Sequence, residues 1–317
     1  MPDPDAGLPG PAMNPKQELQ QYLNKFGWGA RYLPAETAGG CGCWAVEVRV
    51  LPSKQGCHTF QSDDSSPSTK KGAKRGSAAA AALALEGLQP FIAAELAKPA
   101  GTMEQVFAHE FSSVRVLESS DAAWAELATV LAGSRDPAVG IDVEGNQSSP
   151  PVLVQVACTR GNLIILEVPS LLGGLSAPLQ RLLADKGVRK VFCDGTCHAD
   201  KTSLGLAADA AAEGGPLGGH IIELEDTANA LLHESGVFRG LIRNLELSLK
   251  LGSRITKKDS GWALFAGINQ GFYPQLKGLQ DIPVKEQQYA ALDAWCTLRA
   301  WEGFLKQVGK GSTTMVT

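Results

Sequence analysis

The sequence predicts an α/β protein, a mixed sheet with helices on its faces, preceded by a small α+β unit. Three observations predict it. Between residues 139 and 193 three apolar strand runs follow one another, and then helix and strand alternate. Before residue 94 the order is helix, strands, helix. Residues 94–105 (AAELAKPAGTME) fit neither pattern and read as a linker.

The elements follow in order. Residues 1–13 are rich in Pro, Gly and Asp and read as a disordered lead-in. Asn14-Pro15 opens a helix as cap and first-turn proline. Leu19, Tyr22, Leu23 and Phe26 give it an apolar face, and Gly27 ends it. Trp44 to Leu51 alternates as a strand, and His58 to Gln61 is a shorter one. A polar loop, Ser62 to Thr69, leads into Lys70-Lys71-Gly-Ala-Lys74-Arg75 and an alanine-rich helix to about Leu88. In the second part, Ser120-Asp121 caps a helix to about Leu131. Val139–Glu144, Val152–Ala157 and Leu163–Leu166 read as strands, the last two joined by the turn Thr159 to Asn162. A helix from Ala177 and a strand from Arg189 to Cys193 follow, with further helices from about His198, Asp226, Leu241 and Val284.

The 317 residues suffice for two domains at ~100–200 residues each. With 44% apolar and 20% charged residues the chain can bury a sizeable core. No run approaches the ~18–20 apolar residues of a membrane span, so no membrane is expected. The acidic start MPDPDAGLPG lacks the features of a secretory signal or transit peptide, and the expected location is intracellular, nucleus or cytoplasm. Seven scattered cysteines then read as reduced thiols. Net charge is −4, the wrong sign for a protein that simply coats a polyanion. It is unevenly spread: residues 1–100 carry net +1, and the remainder carries −5.

Two side-chain pairs in the second part bear chemistry. Asp142 and Glu144 stand at i and i+2 on one strand and project from the same face. Adjacent carboxylates repel and favour a cation between them, and hard oxygen ligands suit Mg²⁺ or Mn²⁺. An exposed acidic strand end explains the pair equally well. Tyr289 and Asp293 are four apart in a helix that Pro283 opens, and so share a face. Alone they read as a solvated aspartate beside a half-buried tyrosine.

Taken together, Asp142-x-Glu144, the Gln-centred strand Val154-Gln155-Val156 and the late Tyr289-x-x-x-Asp293 resemble the DEDD-type 3′–5′ exonucleases. The resemblance is to the tyrosine-bearing subgroup of RNase D and the Werner-type enzymes. It spans about Val114 to Val308, with Asp226-Thr227, the Ile282–Tyr289 lead-in, and Trp262 after Lys257-Lys258-Asp259 in matching places. It implies an RNase H-like fold and a two-metal site for Mg²⁺ or Mn²⁺. Asp142, Glu144 and Asp293 would be metal ligands, and Tyr289 would orient the attacking water. The implied reaction removes 5′-monophosphates from the 3′ end of RNA, or of DNA. The remaining aspartate of that pattern falls within Lys190 to Leu204. Asp200 takes it if two residues are inserted, with Asp194 and His198 in reserve. The Lys190-Val-x-x-Asp194 start also resembles the Egalitarian-like branch. That implies the alternative of an inactive exonuclease fold serving as an RNA-binding or adaptor module. Cys193, Cys197 and His198, or Cys41, Cys43, Cys57 and His58, offer zinc-type ligands, although their spacing is irregular.

Residues 14–90 resemble a double-stranded-RNA-binding domain of α-β-β-β-α order, most clearly at Lys70-Lys71-x-Ala73-Lys74-Arg75. The resemblance implies phosphate contacts by Lys70, Lys71 and Lys74 at a helix N-terminus, with Gln17 and Gln21 reaching the minor groove. A solvated basic helix start is the plainer reading of the lysines alone. The loop Ala38 to Cys43 lacks the Gly-Pro-x-His of that family. With 9 basic and 6 acidic residues in 13–90, binding is expected to be modest and salt-sensitive. The expected organisation is thus a lead-in 1–13, an RNA-binding-like domain 14–93, a linker 94–105, an exonuclease domain 106–310 and a tail 311–317.

Overall fold

The computed structural model describes residues 14–26, 28–36, 42–50, 57–62, 70–145, 151–169, 174–194, 199–206, 220–232, 240–251, 253–256 and 276–312. The expected lead-in 1–13 lies outside them, as do most of the loops 38–43 and 62–69 and the segment carrying Lys257, Lys258, Asp259 and Trp262. The chain divides into two compact units, Met1–Lys98 and Pro99–Thr317.

The first unit runs α1 (Pro15–Phe26), β1 (Gly29–Glu36), β2 (Gly42–Arg49), β3 (Cys57–Gln61), α2 (Lys70–Gly87) and α3 (Gln89–Ala97). Its strands form an antiparallel sheet in the order β1-β2-β3. Asn14 Oδ1 accepts the Lys16 N–H (3.0 Å) and starts α1. Leu19, Leu23 and Phe26 of α1 pack with Val46 and Val48 of β2 and with Ala80, Ala81, Ala84 and Leu85 of α2. The alanines let α2 lie close on the sheet. β1 has no signal in the alternation of its residues, because Pro34 interrupts it. As an edge strand it tolerates a residue without an N–H.

The second unit opens with β4 (Ala100–Thr102), α4 (Met103–Phe111), β5 (Arg115–Glu118), α5 (Asp121–Ala132), β6 (Ala138–Glu144), β7 (Leu153–Cys158) and β8 (Leu163–Glu167). It continues with α6 (Ala177–Ala184), β9 (Arg189–Phe192), α7 (Ala199–Ser203), β10 (Ile221–Glu223), α8 (Leu224–Leu232), α9 (Gly240–Leu249), β11 (Arg254–Thr256) and α10 (Val284–Ser312). Residues 94–105, read above as a linker, are instead the end of α3, all of β4 and the start of α4. Two local facts override the loop-like composition. Thr102 and Gln105 form a reciprocal capping box at the start of α4, and β4 pairs in parallel with the distant β11.

Six strands form the main sheet in the order β10-β9-β6-β7-β8-β5. β6, β7 and β8 are an antiparallel meander, while β9 lies parallel to β6 and β10 parallel to β9. A three-stranded meander extended by two parallel strands beside its first member, with helices on both faces, is the RNase H-like arrangement. β5 adds a parallel edge next to β8. One face buries Val139, Ile141, Val154, Val156 and Ile165 against α5 and α6. The other buries Leu153, Ala157, Ile164 and Val191 against α10 through Leu298, Trp295 and Trp301. Each such fully buried aliphatic side chain contributes ~1.5–3 kcal/mol. Among the described residues no single helix is long and apolar enough to cross a membrane.

Candidate active site

The carboxyl ends of β6, β9 and β10 lie side by side because these neighbouring strands run parallel. In open α/β sheets this end is where ligands bind. Gly140, Asp142 and Glu144 of β6 alternate onto the face covered by α10, with the Val139 and Ile141 side chains on the other. The helix comes unusually close there. A Cβ at Gly140 would overlap the Ala294 carbonyl oxygen and lie 2.9 Å from Leu298 Cβ. This approach brings Asp293, the neighbour of Ala294, over the end of β6.

Carboxylate oxygens of Asp142, Glu144 and Asp293 consequently lie within 4.8 Å of one another, each residue partly buried. The Tyr289 hydroxyl hydrogen-bonds the Asp293 side chain from one helical turn away. Burial, then the Asp293 charge, push the phenol well above its ordinary range, so Tyr289 stays protonated and donates. Asp142 is pushed up to about 7, chiefly by burial and next by the Asp194 charge. Asp200 on α7 is pushed up to about 9 by burial and then by the charges of Asp142, Asp194 and Glu223. Asp200 therefore feels the charge of Asp142, although its oxygens do not join the three-carboxylate cluster.

Of the other residues singled out in the sequence, Asp194 stays close enough for its charge to act on Asp142 and Asp200, and the rest separate from this group or lie outside the described residues. Asp194 turns one oxygen to the backbone: its Oδ2 accepts the N–H groups of Asp200 (3.0 Å) and Lys201 (3.2 Å). Cys197 and His198 lie outside the described residues. Cys193 is a free thiol that burial raises well above its usual range, and among the described residues it joins no metal-type cluster. The alternative set around Cys43, Cys57 and His58 does not converge. Cys57 pairs with Arg49, six residues along β2 from Cys43, a separation of ~20 Å. Asp226 is exposed, whereas Thr227 is buried and bonds the Glu223 carbonyl (3.2 Å).

In the first unit, Gln17 and Gln21 are exposed on one face of α1, and Lys74 is exposed near the start of α2. Lys16 Nζ donates to Ser77 Oγ (3.3 Å), so α1 lies against the turn that follows Lys74. Lys70 and Lys71 open α2, but their side chains lie outside the described residues.

Sequence reasoning missed two contributors, Gly140 and the Lys201–Glu223 pair. Gly140 had no signal beyond being a glycine in a strand. Lys201 and Glu223 form a fully buried ion pair (2.6 Å) whose partners are far apart in the chain. Gln155, which the resemblance had marked, lies opposite Asp142 on β7, is fully buried, and its amide donates to the Leu153 carbonyl (3.3 Å).

No protein-family model matches the chain, and no curated protein matches it. Solved structures do. The Nibbler EXO domain of Aedes aegypti is 18% identical over 63% of this chain and 90% of its own, with a TM-score of 0.41. Trypanosoma brucei RNase D is 18% identical over 61% of this chain and 66% of its own, also at 0.41. The EXD2 exonuclease domain soaked in Mn and dGMP is 21% identical over 61% of this chain and 91% of its own, at 0.27. These scores are too low for the likenesses to carry weight, and the fold assignment rests on the strand order itself.

The raised carboxylates set the pH dependence of the bare protein. A carboxyl whose folded pKa lies above its unfolded value of 3.8 binds protons more tightly when folded. Its contribution is favourable in acid and is lost as pH rises. For Asp142 the loss runs from about 4 to about 7, and for Asp200 from about 4 to about 9. Thermal unfolding of metal-free protein at pH 5 and pH 8 is expected to show lower stability from these groups at pH 8. Added Mn²⁺ is expected to raise the midpoint more at pH 8 than at pH 5. A metal effect that is equal at both, or absent, would contradict this.

Proposed function

We propose that the chain is a metal-dependent 3′–5′ exonuclease acting on RNA in preference to DNA and releasing 5′-monophosphates. The observation that carries the reading is the convergence of Asp142, Glu144 and Asp293 on one small volume, with Asp200 coupled to Asp142. Three carboxylates crowded at the end of a sheet repel one another, and a divalent cation compensates that charge with the hard oxygen donors it prefers. Asp142, Glu144, Asp200 and Asp293 would hold Mg²⁺ or Mn²⁺. A pair of such ions supplies water activation and stabilisation of the departing 3′ oxygen. Tyr289, neutral and tied to Asp293, orients the attacking water through its hydroxyl and does not act as its base. The acidic balance of the second unit fits this division of labour, since the cations meet the phosphate.

The test uses oligonucleotides labelled at the 3′ or the 5′ end, with Mg²⁺ or Mn²⁺. The expected result is immediate release of the 3′ label as a mononucleotide, and a shortening ladder from the 5′-labelled strand. Metal-independent shortening, or shortening that survives Asp142→Ala and Asp293→Ala, would overturn the assignment. Absence of shortening together with metal-independent RNA binding would favour an inactive adaptor.

The small unit serves as the RNA-gripping part. The support is its α-β-β-β-α order, with Gln17 and Gln21 on α1 and Lys74 on α2 exposed beside their mutual packing. Lysines at the start of α2 add charge to free N–H groups and the helix dipole. Replacing Lys70, Lys71 and Lys74 by Gln is expected to weaken duplex-RNA binding and to lower its salt slope by ~3, about one for each phosphate no longer neutralised. Unchanged affinity and slope would assign this unit another task.

A further inference from the structure

Asp194 stood as a reserve metal ligand, yet it sits at the centre of a buried network with a different job. Its Oδ2 accepts the N–H groups of both Asp200 and Lys201, so it holds the first turn of α7. Its own N–H donates to the Glu223 carboxylate (3.2 Å). Glu223, the last residue of β10, takes the Lys201 ammonium at 2.6 Å, and both side chains are essentially without solvent exposure. The ends of β9 and β10 are thereby tied to the short helix that carries Asp200. That helix is only five residues long, and a helix this short does not hold its own position.

We propose that Asp194, Lys201 and Glu223 form a positioning device that fixes Asp200 at the carboxyl ends of β9 and β10, with Asp194 acting as a backbone cap and not as a metal ligand. The proposal rests on the metal-dependent reading above. Two facts motivate it. The two N–H groups that Asp194 accepts belong to Asp200 itself and its neighbour. The ammonium adjacent to Asp200 in the chain is anchored to another strand. Partners that orient a ligand typically alter metal affinity or activity by ~10–100-fold when removed.

The experiment measures Mn²⁺ binding to the full chain directly, by electron paramagnetic resonance of free Mn²⁺, alongside cleavage rates across a Mn²⁺ titration. Asp194→Asn keeps an oxygen that can cap, and Asp194→Ala does not. The expected result is near-wild-type Mn²⁺ affinity for Asp194→Asn and a loss of ~10–100-fold for Asp194→Ala, with the rate partly restored at high Mn²⁺. Lys201→Met together with Glu223→Leu removes the pair without leaving a lone buried charge, and is expected to weaken Mn²⁺ binding similarly in a folded protein. Equal loss in Asp194→Asn and Asp194→Ala would make Asp194 a ligand and overturn the proposal. Unchanged affinity in Asp194→Ala and in the double variant would overturn it too. If the wild-type chain itself binds no Mn²⁺, the metal-dependent reading fails instead, and the two failures are distinct.

Discussion

Asp142→Asn is expected to abolish cleavage and yet raise the unfolding temperature of the metal-free protein. Both effects come from one fact. Asp142 is held at the end of β6 among Glu144, Asp293, Asp194 and Asp200, where burial and like charge disfavour its ionised form. Asparagine keeps the shape and removes the charge. Without the carboxylate the metal-binding group loses a ligand, and a rate loss of at least ~10³-fold, about 4 kcal/mol, is expected. In the metal-free protein the same change removes a source of repulsion. The midpoint is expected to rise by a few degrees at pH 8, where Asp142 is ionised. At pH 5 the folded carboxyl is protonated but the unfolded one is already ionised, so the difference should be smaller than at pH 8, and it should vanish only below about pH 4. Saturating Mn²⁺ should reverse the order at pH 8, because only the wild type gains the full binding energy. Thermal unfolding of both proteins at two pH values, with and without metal, reads all of this. A variant that keeps its activity, or is less stable than wild type at pH 8 without metal, would contradict the reading.

What the sequence could and could not reveal follows the range of the interactions. Strand alternation on β6 and the 3.6-residue period of α10 are local, so each side-chain pair could be put on one face from spacing alone. The meander and the following alternation of helix and strand made the fold class legible, since each element is a continuous apolar pattern. β1 escaped because Pro34 interrupts it. β4, β10 and β11 escaped because three residues carry no period. Residues 94–105 look like a linker by composition, and only pairing with β11 makes part of them a strand. Spacing ranks Asp200 above Asp194 only through an assumed two-residue insertion, and it carries no sign of what separates them, which is the pair of backbone groups Asp194 accepts. The buried Lys201–Glu223 pair has no sequence signal at all, since each half looks like a surface charge.

Gly140→Ala is the strongest test of how the two side-chain pairs are brought together. On an ordinary strand this change would help, because alanine restricts the unfolded chain and suits a strand better than glycine. Here the sign is reversed by a close crossing. The new methyl would overlap the Ala294 carbonyl oxygen and meet the Leu298 N at 3.0 Å, so backbone must move and no side-chain rotation relieves it. α10 is also the helix whose Trp295, Leu298 and Trp301 cover this face of the sheet, so its displacement loosens the core. Overpacking of this kind costs ~1–3 kcal/mol, or ~2–4 °C in midpoint per kcal/mol for a domain of this size. The larger effect is on activity. Asp293 precedes Ala294, and a helix that retreats by ~1 Å carries Asp293 and Tyr289 away from Asp142 and Glu144. Misplacement on that scale lowers rates by ~10²-fold. The metal-affinity loss should track the activity loss, because Asp293 and not Gly140 makes the contact. A Gly140→Ala protein with wild-type midpoint, Mn²⁺ affinity and cleavage rate would show that α10 is not held against β6 at this point.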